Sequence, residues 1–244
     1  MRLCNANRGR LEGIAVILIV SMAKPEEYDN AAAAGELKRK FEKMTGTPAL
    51  VLHYSEIAPE LVDSLPVEAI FITGSGCPWP EVDPRKLDGL YDLMTQTEIP
   101  THGACAGHQL LGFFFNATDW SRVERLEDEY TRQMRPDEAV AVDDKCPGWF
   151  LETGIFKIQI VAEDAIFAGF DGGLLVRESH YCEVKTLPPG FTLLASNGNC
   201  QIQAMRHNER PIYGTQFHPE AWTEKFQDGK RFMENFFRIA GLVD

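Results

Sequence analysis

Apolar residues fall into two regimes along this chain. In the first half, short unbroken apolar runs alternate with stretches whose apolar positions recur every three or four residues. Ile14 to Met22 is one such run, closed by Pro25, and Ala34, Leu37, Phe41 and Met44 then recur at helical spacing before Gly46. Ala49 to His53 and Ala69 to Thr73 read as further strands. Asp83-Pro84 has the form of an N-cap with proline at the first helical position, and Leu87, Leu90, Tyr91 and Met94 form the buried stripe behind it. Thr95 to Thr101 turns into another short strand, and His108 to Phe115 reads as an apolar helix. This order predicts an α/β fold: a three-layer, doubly wound, mostly parallel sheet with helices on both faces.

The second half carries more β signals. Phe191 to Ser196, Gln201 to Arg206 and Pro211 to Phe217 are separated by turns at Asn197-Gly198 and Asn208-Glu209, which predicts added antiparallel strands. A last helix presents Phe232, Phe236 and Ile239 on one face and stops at Gly241. Between the halves, Arg and Glu alternate around Val123, Leu126, Tyr130 and Met134, the pattern of an amphipathic helix that could be a lid, an interface or a surface element. At 244 residues and 44% hydrophobic content the chain can bury a full core. The expected organisation is one domain over 1–244, with an N-terminal extension at 1–11 and an insertion at 121–150.

The candidate chemistry lies at two places. Gly103-Ala104-Cys105-Ala106-Gly107 follows a strand and opens a helix, so Cys105 sits at a sharp elbow. There the free N–H groups and the positive end of the helix dipole favour a thiolate, and the small neighbours admit a substrate. A lone cysteine in a parallel sheet would equally serve as a small buried hydrophobe. About a hundred residues later, Phe217-His218-Pro219-Glu220 ends a strand, and an extended His-Pro-Glu sets imidazole and carboxylate side by side. His218 is then placed to take the thiol proton, and Glu220 to orient the imidazolium.

These two motifs resemble those of the class I (triad) glutamine amidotransferases, in order and spacing, over roughly residues 12–241. The resemblance implies a flavodoxin-like fold with Cys105 as nucleophile, His218 as base and Glu220 as orienter. It places the oxyanion hole at Gly74, Ser75, Gly76 and Ala106, and the glutamine pocket at Gln109, His180 and Tyr181. Ala104 departs from the pattern, since the family commonly has a larger apolar residue before the nucleophile. Ala-Cys-Ala-Gly is also similar to the elbow of the protease- and chaperone-like branch of the superfamily, whose essential acid would fall near Glu26 or Glu27; that branch lacks His-Pro-Glu. The implied reaction is hydrolysis of the glutamine side-chain amide to glutamate and ammonia. The ammonia would serve a separate synthetase subunit, or the chain would act alone on γ-glutamyl amides or peptides, or it would bind glutamine as a regulatory subunit without catalysis.

Charge and cysteine usage narrow the setting. A net charge of −12 and a pI near 5 disfavour nucleic acid and anionic membranes as partners. The cysteines at 4, 77, 105, 146, 182 and 200 form no C-x-x-C pair, so no metal or cofactor is expected, and a nucleophilic thiol points to a reducing, cytoplasmic setting. Arg2, Arg8 and Arg10 before an apolar run have the look of a signal peptide, but Glu12 interrupts the basic region and a first buried strand is expected instead. There is no G-x-x-x-x-G-K-[ST] loop, so acceptor activation would have to come from elsewhere.

Overall fold

The computed structural model describes residues 15–28, 32–136, 138 and 146–244. The expected N-terminal extension, Cys4, the start of the first strand at Ile14 and most of 137–145 lie outside them.

Among the described residues one sheet of nine strands forms, in the order β2-β1-β3-β4-β9-β8-β7-β5-β6. Its strands are β1 (Val16–Ser21), β2 (Ala49–His53), β3 (Val67–Ile72), β4 (Thr101–Ala104), β5 (Glu152–Ile160), β6 (Gly173–His180), β7 (Phe191–Ser196), β8 (Ala204–His207) and β9 (Ile212–Thr215). The pairs from β2 to β9 are parallel, and those from β9 to β6 are antiparallel. The helices are α1 (Pro25–Tyr28), α2 (Ala32–Thr45), α3 (Pro59–Ser64), α4 (Asp88–Gln96), α5 (Ala106–Asn116) and α6 (Asp228–Ile239).

The apolar runs of β1 and β3 are buried on both faces because helices cover both. On one face, Leu18, Val20, Ile70 and Ile72 pack with Leu90, Met94, Leu110 and Phe114. On the other, Ile17, Ile19 and Phe71 pack with Phe41, Phe232 and Phe236. Asp83 caps as expected, its carboxylate accepting from Arg85 N at 2.9 Å, but the element it opens is a 3₁₀ turn that leads into α4. At the C-terminus, Gly241 takes φ +72° and Leu242 N donates to Phe237 O, which closes α6 in a Schellman-type cap.

Two expectations are corrected. The described part of 121–150 is not an amphipathic helix: after a 3₁₀ turn at Trp120–Arg122 its described residues form isolated bridges and turns. Tyr130 pairs antiparallel with Cys182, Gln133 pairs with Trp149, and the Tyr130 and Trp149 rings stack at 5.2 Å. Backbone partners on both sides thus outweigh a helical spacing of apolar residues. The second correction concerns β5, nine residues long and unanticipated; it inserts between β7 and β6 and so carries Glu152 to the end of the sheet's site-bearing edge.

Candidate active site

Cys105 follows β4 and is the N-cap of α5, with φ 50° and ψ −104°. Among the described residues it is the one non-glycine with positive φ, a strained conformation of the kind found where a side chain must be presented at an elbow. The glycines around it are required by close approach. A methyl on Gly103 would lie 2.6 Å from the Gly107 carbonyl, and one on Gly107 would lie 2.7 Å from Ile72 O. The G-x-C-x-G spacing therefore lets strand, elbow and helix meet without a gap.

His218 arrives just beyond β9. Its N–H donates to Arg177 O at 2.9 Å, and Ser179 O lies 4.0 Å from Cys105 Sγ, so the end of β6 touches both groups. The His218 ring faces the Cys105 sulfur on one side and holds Glu220 Oε1 at 2.7 Å through Nδ1 on the other. His218 and Glu220 come together through a turn and not through extended chain. Pro219–Ala221 is a 3₁₀ turn closed by Ala221 N to His218 O. Burial, the largest influence on His218, disfavours its charge, yet the Glu220 carboxylate and the Cys105 sulfur more than offset this and the pKa is held well above the ordinary imidazole value. Glu26 and Glu27 take no part in this pairing; Glu27 is exposed on the far wall of the cleft.

A cleft of about 750 Å³ opens over these residues. Gly74, Ser75, Gly76 and Ala106 all line it, with Gly74 directly under the His218 ring. The first N–H groups of α5 have no partner within the helix, since its first helical bond is Gln109 N to Cys105 O. Gln109, His180 and Tyr181 also reach the cleft wall, but two of them have their polar atoms committed to the protein. Gln109 Nε2 donates to Cys182 O and to Gln216 Oε1, and its Oε1 accepts from Trp79 Nε1 at 2.6 Å. The His180 ring is turned inward: Nδ1 meets Cys182 O at 2.8 Å, and Nε2 meets Glu152 at 3.1 Å and Glu178 at 3.4 Å. Burial opposes charge on His180, but hydrogen bonds to Glu152 and Glu178 prevail and raise its pKa to about 10.

Sequence reasoning missed Trp79, Asp128, Glu152, Glu178 and Gln216. Asp128 reaches the cleft from the 121–150 segment, where its Oδ1 accepts from Trp79 N at 2.8 Å. Glu152, Glu178 and His180 are the one trio among the described residues whose donor atoms, within 4.8 Å of one another, are close enough to share an ion. Glu152, however, already accepts from Asn197, Asn199, Gln203 and His180.

The family model described as Glutamine amidotransferase class-I matches residues 36–240. The chain belongs to the class I glutamine amidotransferase family. A subunit of the glutamine-hydrolyzing GMP synthase from Pyrococcus abyssi is 39% identical over 144 residues, which cover 59% of this amidotransferase and 61% of that relative. The match thus spans less than two thirds of that relative's length. The corresponding GMP synthase subunit from Methanopyrus kandleri is 30% identical over 217 residues, 87% of this chain and 96% of its own. Among solved structures, a Thermoplasma acidophilum protein described as a GMP synthase subunit superposes with TM-score 0.67 at 25% identity, covering 93% of this chain and 94% of its own. The glutaminase domain of Trypanosoma brucei CTPS, solved with bound acivicin, shares the fold at TM-score 0.64 and 18% identity, over 94% and 95% of the two chains. No helix among the described residues is long and apolar enough to cross a membrane.

Proposed function

We propose that this amidotransferase hydrolyses the side-chain amide of glutamine to glutamate and ammonia, with Cys105 as nucleophile, His218 as proton carrier and Glu220 as orienter. The observation that carries the reading is the strained Cys105 elbow facing a histidine whose other nitrogen is held by Glu220 at 2.7 Å. The Cys105 sulfur adds to the carboxamide carbon, and backbone N–H groups at Gly74 to Gly76 and at Ala106 hold the oxyanion. His218 gives its proton to the departing nitrogen, which leaves as ammonia. It then takes a proton from water, whose hydroxide cleaves the γ-glutamyl thioester and frees the thiol. Gln109 and Tyr181 shape the wall on which the amino-acid end of glutamine rests.

Residues 1–244 act as one amidotransferase domain, with 121–150 as an insertion whose Asp128 reaches the cleft. The ammonia passes to a separate synthetase subunit, a reading supported by relatives that are themselves named as one subunit of GMP synthase. A cleft of about 750 Å³, within the range that encloses drug-sized ligands, favours a second reading in which larger γ-glutamyl amides are hydrolysed without a partner. The five described cysteines form no disulfide, which is in keeping with a reducing cytoplasmic setting. Steady-state glutamate release from glutamine, compared with a panel of γ-glutamyl peptides and with asparagine, tests both readings. Preference for glutamine supports the first, preference for peptides the second, and no release from either overturns both.

A further inference from the structure

Behind the nucleophile lies a buried charged cluster that the proposed reaction does not use. Glu152 and His180 are direct cross-strand partners at the ends of β5 and β6, and Glu178 sits two residues before His180 on the same face. Glu152 and Glu178 are fully buried, and the His180 side chain is 1% exposed. Both ring nitrogens of His180 face acceptors: Cys182 O on one side, the two carboxylates on the other. A neutral imidazole has one N–H and would set a lone pair against an oxygen at the second nitrogen. Only the doubly protonated ring satisfies this surround.

We propose that His180 is a positioning residue, held as an imidazolium by Glu152 and Glu178, which pins the end of β6 against Cys105 and His218. The pinned segment is the one that matters for alignment, because Arg177 O receives the His218 N–H and Ser179 O faces Cys105 Sγ. The two carboxylates are not equivalent. Glu152 is ionised, with amide donors from Asn197, Asn199 and Gln203 as well as His180. Glu178 has no hydrogen-bond donor beyond the His180 contact, and burial raises its pKa. Both carboxylates face the ring, so either can balance it when the other is removed. The other titratable groups facing it are Cys105 at the elbow, His218 beyond β9, His108 on α5, kept neutral by burial, and Cys200 before β8, whose thiol is directed to Glu183.

The inference rests on Cys105 being the nucleophile, but its test reads the cluster directly. In protein labelled with ¹⁵N-histidine, the His180 resonances, assigned by their loss in His180→Gln, should show both ring nitrogens protonated from pH 6 to pH 9. A neutral ring at pH 8 overturns the proposal, as does one equivalent of zinc found in the purified protein. Iodoacetamide labelling of Cys105 at pH 7.5 should slow by no more than about threefold in Glu152→Gln or Glu178→Gln. It should slow by about tenfold in the double variant, where the ring has no carboxylate partner and the end of β6 is no longer pinned against Cys105. A folded double variant that labels at the wild-type rate, or a single variant as slow as the double, contradicts shared support by the two carboxylates.

Discussion

Gly74 lies so close under His218 that a methyl group in place of its hydrogen would sit 2.6 Å from the ring's Cε1 and 3.4 Å from Cys105 Cβ. The loop after β3 is thus the floor on which the His218 ring rests. Gly74→Ala should tilt the imidazole off the Cys105–Glu220 line and lower kcat about a hundredfold, since an ångström of misplacement is enough for that. The clash falls on a ring edge and not on backbone, so the melting temperature should change by only a few degrees. Glutamate release and a thermal melt on the same preparation check the two halves of this expectation.

Loss of the base and loss of its orienter should differ in severity. His218→Asn removes the proton carrier and should approach the damage of losing the nucleophile, while Glu220→Gln leaves a ring that is still hydrogen-bonded and should retain more activity. The relevant comparison is kcat/KM for the two variants at one pH. A Glu220→Gln enzyme weaker than His218→Asn would reverse the assigned roles.

Stability should respond to pH through three buried histidines with opposite signs. His102 and His108 are kept neutral, with pKa values lowered to about 3, burial being the main cause. Their unfolded forms take up protons below about pH 6.5, so stability falls as pH drops from there toward 3, by up to about 1.4 kcal/mol per pH unit for each ring. His180 is raised to about 10, so its contribution is complete below about pH 6.5 and is lost as pH rises toward 10. His102 stacks on Phe71 and packs against Phe232 and Phe236, which makes His102→Phe a fair isostere. Urea unfolding from pH 4 to pH 10 should show a shallower acid limb in that variant and an unchanged alkaline limb.

The thiols should separate by reactivity. Burial pushes the Cys182 and Cys200 thiols up, which leaves them poor nucleophiles at neutral pH. Cys105 stands at the N-terminus of α5 beside His218. Limiting iodoacetamide followed by peptide mapping should find Cys105 modified first. Prior modification of Cys182 would mean that the elbow thiol is an ordinary buried cysteine.

Much of this site is legible in the sequence because its decisive parts are local. Gly103, Cys105 and Gly107 are dictated by one strand-to-helix junction, and His218 and Glu220 by one turn, so each motif survives as a short string. β2 matches its apolar run residue for residue from Ala49 to His53, and α5 differs from the expected helix by a couple of residues. What the sequence hides is polar and assembled from distant segments. Glu152, Asn197, Asn199, Gln203 and His180 share no period, and only the pairing of β5 with β6 on one side and β7 on the other brings them together. The 121–136 stretch misleads for the opposite reason: its apolar spacing fits a helix, but Leu126 is buried against the core while the residues around Tyr130 pair with the chain after β6. Gln109 and His180 are expected in the pocket and do reach its wall, yet their hydrogen bonds brace it from behind.

Glutamate release by purified wild-type protein and by Cys105→Ala, with glutamine as substrate and the melting temperature recorded alongside, tests the central claim most directly. Wild type should release glutamate and ammonia in equal amounts. The variant, which loses one sulfur atom at an elbow, should melt within a few degrees of wild type and be slower by about a thousandfold or more. A folded Cys105→Ala protein that keeps most of the wild-type rate would contradict the mechanism.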